Sequence, residues 1–532
     1  MERNDSAISS LGDAPAQGSG APGGGSSAAM DLAASKARIR RRIDFAFLVV
    51  VLSIFAAISA QRLAAPTDPD IWWHVKTGAW MLQHGSVPHT DMFSWMTYGQ
   101  PWVAYTPLFD LLMVAIFNGW GPVGMLLFTS VLVVIDMAIL TALLARYTYL
   151  ARAAALALLA YVTAMESLGT PRPWLFTIGF VIVELWLLLL ACERARWVWL
   201  CPIVPLMAVW ANLHIQFIYG LALLGLFALL QSFPDIGWTL IPGQSYRNKL
   251  PAVLFWVVFA ASCLATLANP YGWRLYTVVI EYATEHAPLA FLTEMQSPSF
   301  RAPLDYLLLA LLCGAWFALG TSPRRSMLLV VLLAAATYCG FRASRDVWFI
   351  AIVATLVLAQ WWGPNDGQGH SVGLGYWAVA VAASLLLVFA VPGMRVSDGE
   401  IEKWMKKLYP VEACAFIENH HLTPPLYNSY TWGGYLIWRL PRLPVSIDGR
   451  ANLHRDERID RSYATIYGKE RWSKDEELFQ ARTILLPRDR PLTMILRIDP
   501  RFRKVYEDEV ASVFEPVAPP EAGGAAASGQ NK

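Results

Sequence analysis

The chain is short of charge. Only 15% of its 532 residues are Asp, Glu, Lys or Arg while 56% are apolar, which excludes a water-soluble globular protein of this size and makes it an integral membrane protein. The charges that remain nearly cancel, 42 basic against 40 acidic for a net +2, so no basic excess points to nucleic acid. Cysteine is scarce as well: there are six and no CxxC pair, which argues against a zinc or dithiol redox site. Five lie in or beside apolar runs, where a thiol behaves as a small hydrophobe; only Cys414 falls in the polar C-terminal part, which therefore has no internal disulfide framework. No internal repeat is seen. Residues 1–35, rich in Ala, Gly and Ser, lack any periodicity and read as disordered, within a cytoplasmic tail that reaches residue 42. The first apolar run starts too far in, and lacks a clean small-residue cleavage site, so it reads as an uncleaved anchor.

What is present is a series of membrane-length apolar runs, near 44–64, 122–145, 151–166, 174–193, 197–212, 215–233, 251–268, 304–320, 326–341, 346–362 and 373–392. A further run at 103–120 is ambiguous, because it carries Asp110 between Trp102 and Trp120. Basic clusters resolve it: Lys36 to Arg42, Arg146 with Arg152, Arg194 with Arg196, Arg247 with Lys249, and Arg324 with Arg325. If 103–120 lies along the membrane surface, all of these fall on the cytoplasmic side; if it spans, all but the first flip outward. The expected architecture is therefore a polytopic α-helical protein of about eleven spans, N-terminus inside, in a bacterial inner membrane. It comprises a transmembrane domain over 43–392 with a first outer loop at 65–121, an extracytoplasmic α/β domain over 393–515, and a disordered tail from 516 to 532.

That topology puts the chemically suggestive residues on one outer face. The most informative stretch is Asp68-Pro69-Asp70-Ile71-Trp72-Trp73-His74, just past the first run. Carboxylates at a membrane edge are costly unless they bind something, although the two indoles alone would also suit an interfacial belt. Asp68 and Asp70 are two apart and point the same way in an extended segment, which suits shared ligation of Mg²⁺ or Mn²⁺. His74, Asp91 and Glu294 are the further metal candidates, although each histidine alone is more often a surface residue than a ligand. Arg172 stands between Pro171 and Pro173 at a membrane edge, placed for a phosphate oxygen, with snorkelling to headgroups as the alternative; Arg342 and Arg345 admit the same two readings. His214 and Gln216, at a tight outer turn, suit sugar hydroxyls or a lipid phosphate, or simply a buried turn.

In the C-terminal part, 425–428 and 443–447 read as short buried strands around a helix at 431–440, a β-α-β start extended by 481–486, a helix at 490–498 and 504–514. Asp448-Gly449-Arg450 then falls at a strand's C-terminal end, where open α/β sheets carry functional loops.

Together these pieces resemble the GT-C superfamily of membrane glycosyltransferases. The likeness rests on Asp68-Pro69-Asp70 followed by a surface helix, on Arg172-Pro173, and on Trp432-Gly433-Gly434-Tyr435 followed by Asp448-Gly449-Arg450. The last pair is similar to the catalytic subunit of oligosaccharyltransferases, whose Trp-Trp-Asp-Tyr-Gly motif precedes a strand ending in Asp. Gly433 and Gly434 replace the Asp that reads an acceptor peptide, which argues against transfer to a sequon; bacterial membrane proteins with the same Trp-Gly-Gly-Tyr and Asp-Gly-Arg elements look closest. The resemblance implies transfer of a sugar from a polyprenyl-phosphate or -diphosphate carrier to an extracytoplasmic glycan, lipid or protein acceptor. It implies Asp68 or Asp70 as base or metal ligand, and Arg172 and Arg342 on phosphate. Arg345, His214, Gln216, Trp432, Asp448 and Arg450 are expected on substrate. A transporter or flippase using the mid-span acids Asp136 and Glu184, and a non-catalytic assembly protein, are the alternatives.

Overall fold

A computed structural model describes residues 24–62, 68–164, 168–233, 250–284, 291–322, 326–363, 373–390, 398–469 and 472–517. Glu166, the basic residues at 247–249 and 324–325, and the outer parts of both expected tails lie outside the described residues. The chain divides into two compact units, Met1–Phe47 and Leu48–Lys532. In the first, the helix α1 (Gly24–Arg62) begins inside the segment expected to lack structure, where Ala, Met, Leu, Lys and Arg are all good helix formers.

The second unit continues with α2 (Ile71–His84), α3 (Pro107–Leu144), α4 (Leu150–Thr163), α5 (Trp174–Arg194), α6 (Ile203–Leu213) and α7 (Phe217–Gln231). Then follow α8 (Ala252–Ala265), α9 (Arg274–Thr284), α10 (Pro303–Thr321), α11 (Met327–Arg342), α12 (Val347–Trp361) and α13 (Leu374–Ala390). Every apolar run read from the sequence overlaps one of the helices among the described residues. Among the described residues five segments, at 42–59, 107–144, 174–194, 303–321 and 344–361, are long and apolar enough to cross a membrane; six further apolar helices are shorter, at 10–17 residues.

The ambiguous run at 103–120 is a separate helical half. α3 breaks at Gly121, whose φ of 59° and ψ of −155° suit glycine alone, and Pro122 has no N–H to continue the ladder. The half before the break packs on α2, so closely that a Cβ on Gly78 would lie 2.2 Å from the Asp110 carbonyl oxygen. Trp72 and Trp73 are not belt residues. Both are buried, and Trp72 sits among Phe117, Tyr409, Tyr435 and Trp438. Truncating such an indole costs about 3–5 kcal/mol, so the first loop is bolted to the C-terminal part by its own tryptophans.

That C-terminal part holds α14 (Asp398–Leu408), α15 (Val411–Asn419), β1 (Leu426–Asn428), α16 (Gly433–Arg439), α17 (Ala451–Ile466), α18 (Glu476–Gln480), β2 (Thr483–Pro487), α19 (Pro491–Ile498), β3 (Phe502–Glu507) and β4 (Ala511–Pro516). The sheet order is β1-β2-β4-β3, with β1 parallel to β2 and the other pairs antiparallel. The strand expected at 443–447 is absent from it. Asn428 takes up that segment's backbone instead, accepting from Ser446 N at 2.9 Å and donating to Ile447 O at 2.8 Å. The free side of Val445 pairs with the first loop, through Trp95 N to Val445 O at 3.1 Å and Val445 N to Phe93 O at 3.2 Å. The segment that ends in Asp448-Gly449-Arg450 thus belongs to the seam between first loop and C-terminal part.

Candidate active site

Asp68, Asp70 and Glu294 all converge on one guanidinium. Arg172 Nε meets Asp68 Oδ2, its Nη1 lies 2.7 Å from Asp70 Oδ2, and its Nη2 lies 3.7 Å from Glu294 Oε2. Local backbone fixes both sides. Asp70 N donates to Asp68 Oδ1 at 2.9 Å, and the Asp70 carbonyl opens α2 by accepting from Trp73 N. Pro171 and Pro173 hold the Arg172 backbone, and Trp174 lies under its guanidinium at 5.0 Å. Burial pushes the Asp68 carboxyl up to about 7, with Asp70 and Glu294 adding to the rise and Arg172 opposing it; burial raises Asp70 as well. Against burial, Asp68, Glu294 and Asp70 keep Arg172 firmly charged.

Glycines of the two motifs make this approach possible. A Cβ on Gly449 would fall 1.8 Å from Asp70 Oδ1, one on Gly434 2.3 Å from the Pro69 carbonyl oxygen, and one on Gly433 2.2 Å from Ile447 O. Gly434 is therefore a seat for the Asp-Pro-Asp turn, and Gly433 admits the segment that carries Asp448.

A cavity of about 650 Å³ opens at this cluster. Asp70, His74, Arg172 and Glu294 line it, together with His214, Gln216, Arg342 and Arg345. His214 Nδ1 contacts Thr177 Oγ1 at 2.8 Å, and Gln216 Nε2 donates to Asp346 Oδ1 at 3.0 Å, so both are held in place from behind. Asp68 is buried beneath the wall and meets it through Arg172 and the Asp70 backbone. An aromatic wall not anticipated from the sequence is formed by Tyr105, Tyr282, Tyr430 and Tyr463, where Tyr105 and Tyr282 share a hydroxyl contact of 3.0 Å. Each tyrosine comes from a different segment, and nothing in local spacing marks them.

Three expected substrate contacts are placed elsewhere. Arg450 and Asp448 have no exposed side-chain surface: Arg450 Nε and Nη2 both donate to Asp448 at 2.7 Å and Nη1 donates to Asp91 at 2.7 Å. Ser94 and His454 complete the network, and Trp102 covers the guanidinium at 4.5 Å. Against burial, Arg450 and His454 hold Asp448 well below the usual carboxylate range. Trp432 is buried with its Nε1 donating to Leu408 O at 3.2 Å. These residues fasten the first loop to the C-terminal part.

The metal-ligand set is corrected in the same way. Asp91 is committed to Arg450, Thr97 and two backbone amides. Among the described residues no three His, Cys, Asp or Glu side chains are arranged around one point to hold an ion. The guanidinium of Arg172 stands where a divalent cation between Asp68, Asp70 and Glu294 would stand, so the donor set as arranged does not fit one.

No protein-family model matches the chain, and no curated protein matches it. Among solved structures it is similar to the oligosaccharyltransferase AglB of Archaeoglobus fulgidus, in complex with an inhibitory peptide and a dolichol-phosphate. There the identity is 10% and the TM-score 0.48, over 82% of this chain and 69% of that one. It is also similar to ArnT of Cupriavidus metallidurans bound to undecaprenyl phosphate, with 16% identity and a TM-score of 0.44 over 88% of this chain and 98% of that one. Both neighbours are GT-C glycosyltransferases, the superfamily named from the sequence. At these scores the likeness carries no functional argument, and the reading of the site rests on its own residues.

Proposed function

We propose that the protein transfers a sugar from a polyprenyl-phosphate or -diphosphate carrier to an acceptor outside the cytoplasm, at the cavity bounded by Asp70 and Arg172. One observation carries this reading: a cavity of about 650 Å³ is lined by Asp70 and Glu294 on the Arg172 guanidinium and by two further arginines, Arg342 and Arg345. Sugar transfer from a lipid phosphate needs both signs of charge. Negative charge develops on the departing phosphate, which Arg342 and Arg345 would stabilise by charge-assisted hydrogen bonds. The acceptor hydroxyl needs an acceptor group to orient it, and Asp70 faces the cavity for that role. Arg172 holds Asp70 in position through the ion pair and brings to Asp68, Asp70 and Glu294 the positive charge that an ion would otherwise supply.

The orientation that goes with this reading has the N-terminus inside and the C-terminal domain outside a bacterial cytoplasmic membrane, as the basic loop residues support. Membrane lipid and the lipid-linked donor then reach the cavity from the bilayer, and the acceptor from the aqueous face. A flippase would draw instead on Asp136 and Glu184, which are buried in α3 and α5 with oxygens that have no hydrogen-bond partner, but neither lines the cavity.

Mass spectrometry of lipid-linked sugars and envelope glycans tests the reading, in a deletion strain complemented with the wild type, with Asp70→Asn and with Arg342→Ala plus Arg345→Ala. The expected result is a lipid-linked sugar that accumulates, and a glycan that disappears, in the deletion and in both variants. Unchanged glycans in both variants would overturn the assignment.

A further inference from the structure

Asp110 is the acid that made the 103–120 run ambiguous as a membrane span, and its carboxylate has a partner on the cavity wall. Asp110 Oδ1 lies 2.5 Å from His74 Nδ1, and the Thr106 hydroxyl donates to the same oxygen at 3.1 Å. Both side chains are buried, Asp110 wholly and His74 at 3% exposure. The imidazole is clamped: Trp73 stacks on it with centroids 3.6 Å apart, and Phe109 packs edge-on at 4.9 Å. Yet His74 lines the cavity, one helical turn past Asp70, whose carbonyl accepts its backbone N–H at 3.3 Å.

Asp110 and the imidazole share one proton across the 2.5 Å contact; with that proton on Nδ1, Nε2 is the basic nitrogen. Among the described residues Nε2 has no partner. A base fixed by a carboxylate behind it, on the wall of a cavity, is the arrangement that proton transfer requires.

We propose that His74 is a catalytic residue of the transfer, its Nε2 taking the proton of the acceptor hydroxyl, and that Asp110 is a positioning residue that fixes the tautomer. This rests on the glycosyl-transfer reading. The acceptor oxygen bonds to the anomeric carbon as its proton passes to Nε2. The bond from that carbon to the carrier's phosphate oxygen breaks, and the electron pair leaves on the phosphate. The imidazolium then gives its proton to the released phosphate or to water.

Asp70 has one oxygen already engaged by Arg172 at 2.7 Å, which suits it to orienting the acceptor hydroxyl. The charged and titratable groups facing His74 are Asp110 on α3, Arg172 before α5, His214 after α6 and Asp70 at the head of α2. Burial, with Arg172 and His214 nearby, holds the imidazole well below its usual range, so Nε2 is unprotonated and ready as an acceptor.

Two experiments on the full-length protein decide. In the first, diethyl pyrocarbonate modification is mapped by peptide mass spectrometry, with exposed His84 and His420 as references. His74 is expected to be modified, and undecaprenyl phosphate to slow its modification but not that of His84. An unmodified His74 beside modified references overturns the open Nε2.

In the second, His74→Asn keeps an amide toward Asp110 while removing Nε2. Glycan product in the complemented strain is expected to fall about 100-fold or more, with undecaprenyl-phosphate binding by native mass spectrometry unchanged. Asp110→Asn should shift the acidic limb of the pH profile, which a packing defect would not. Wild-type product from His74→Asn beside lost product from Asp70→Asn overturns this proposal and leaves the transfer reading standing. Binding lost together with product makes His74 structural and also overturns the proposal, and full product from both variants overturns both readings.

Discussion

Two arginines of this protein sit among aspartates from the first loop and the C-terminal part, and they do opposite things. Arg450 has no exposed side-chain surface, and its donors are matched to Asp448, Asp91 and Ser94 at 2.7–3.1 Å. Arg172 is 16% exposed at a cavity, between a buried Asp68, a half-buried Asp70 and a Glu294 that is 37% exposed and only at 3.7 Å. The same pair of side-chain types gives a closed clasp in one place and an open site in the other. What separates them is enclosure: the Arg450 cluster has no surface left for a ligand, whereas Arg172 and Asp70 keep one side toward the cavity.

Breaking the closed cluster should give the largest effect. Arg450→Met leaves Asp448 and Asp91 buried without their cation, at a cost of about 3–5 kcal/mol, read as a lost or strongly lowered thermal midpoint in detergent. Adding Asp448→Asn and Asp91→Asn should recover part of that loss. A variant with wild-type melting would dissolve the distinction between the clusters. The open cluster should respond in the reverse sense. Arg172→Lys and Asp70→Asn should cut product about 100-fold or more while moving the midpoint little, measured on the same preparations.

Gly449 joins the two clusters, and it sharpens the comparison further. It lies between Asp448 and Arg450, yet the space it leaves is filled by Asp70 Oδ1. Gly449→Ala should therefore displace the Asp70 carboxylate and lower product, with a stability loss smaller than that of Arg450→Met. A melting midpoint as low as that of Arg450→Met would assign the glycine to the clasp alone.

Much of this was legible in the sequence, for reasons that also explain what was not. The apolar runs land on helices because a bilayer demands a local, continuous signal. Asp68, Asp70 and Arg172 were found because charge at a membrane edge is conspicuous. Their shared geometry was not, since Arg172 lies a hundred residues downstream and sequence spacing cannot distinguish a guanidinium from an ion as the partner of two aspartates. Asp448-Gly449-Arg450 looked like a functional loop because its residue types match those of a site; only burial reveals that its charges face one another. The missing strand at 443–447 has the same origin. Its β-branched pattern is real, but Asn428 and the first loop supply its hydrogen bonds. Tyr105, Tyr282, Tyr430 and Tyr463 left no trace, because a wall assembled from four segments has no periodicity.

pH distinguishes the clusters by a smaller effect. Asp68 has its carboxyl pushed up to about 7 by burial. Between its usual value near 4 and about 7 the folded protein thus binds a proton that the unfolded chain has released, so this group's contribution to stability falls as pH rises and levels off above 7. Asp448, held well below the usual range, contributes stability throughout that window and loses it only in stronger acid. The wild type should gain thermal midpoint between pH 8 and 6 relative to Asp68→Asn. Equal pH slopes in the two proteins would mean that Asp68 remains a carboxylate on Arg172 across the window.

The smallest effect expected is that of a chelator. In the open cluster Arg172 already contacts all three carboxylates that a divalent ion would need, and an ion entering there must displace a guanidinium whose charge those same carboxylates stabilise. Product formation in membranes treated with EDTA should stay within about twofold of untreated membranes, less than a 0.5 kcal/mol change, and adding Mg²⁺ or Mn²⁺ back should not raise it. A large loss restored by one of those ions would show that Arg172 moves aside during the cycle. The open cluster would then differ from the closed one in a second respect, because its cation could be exchanged whereas that of Asp448 and Asp91 could not.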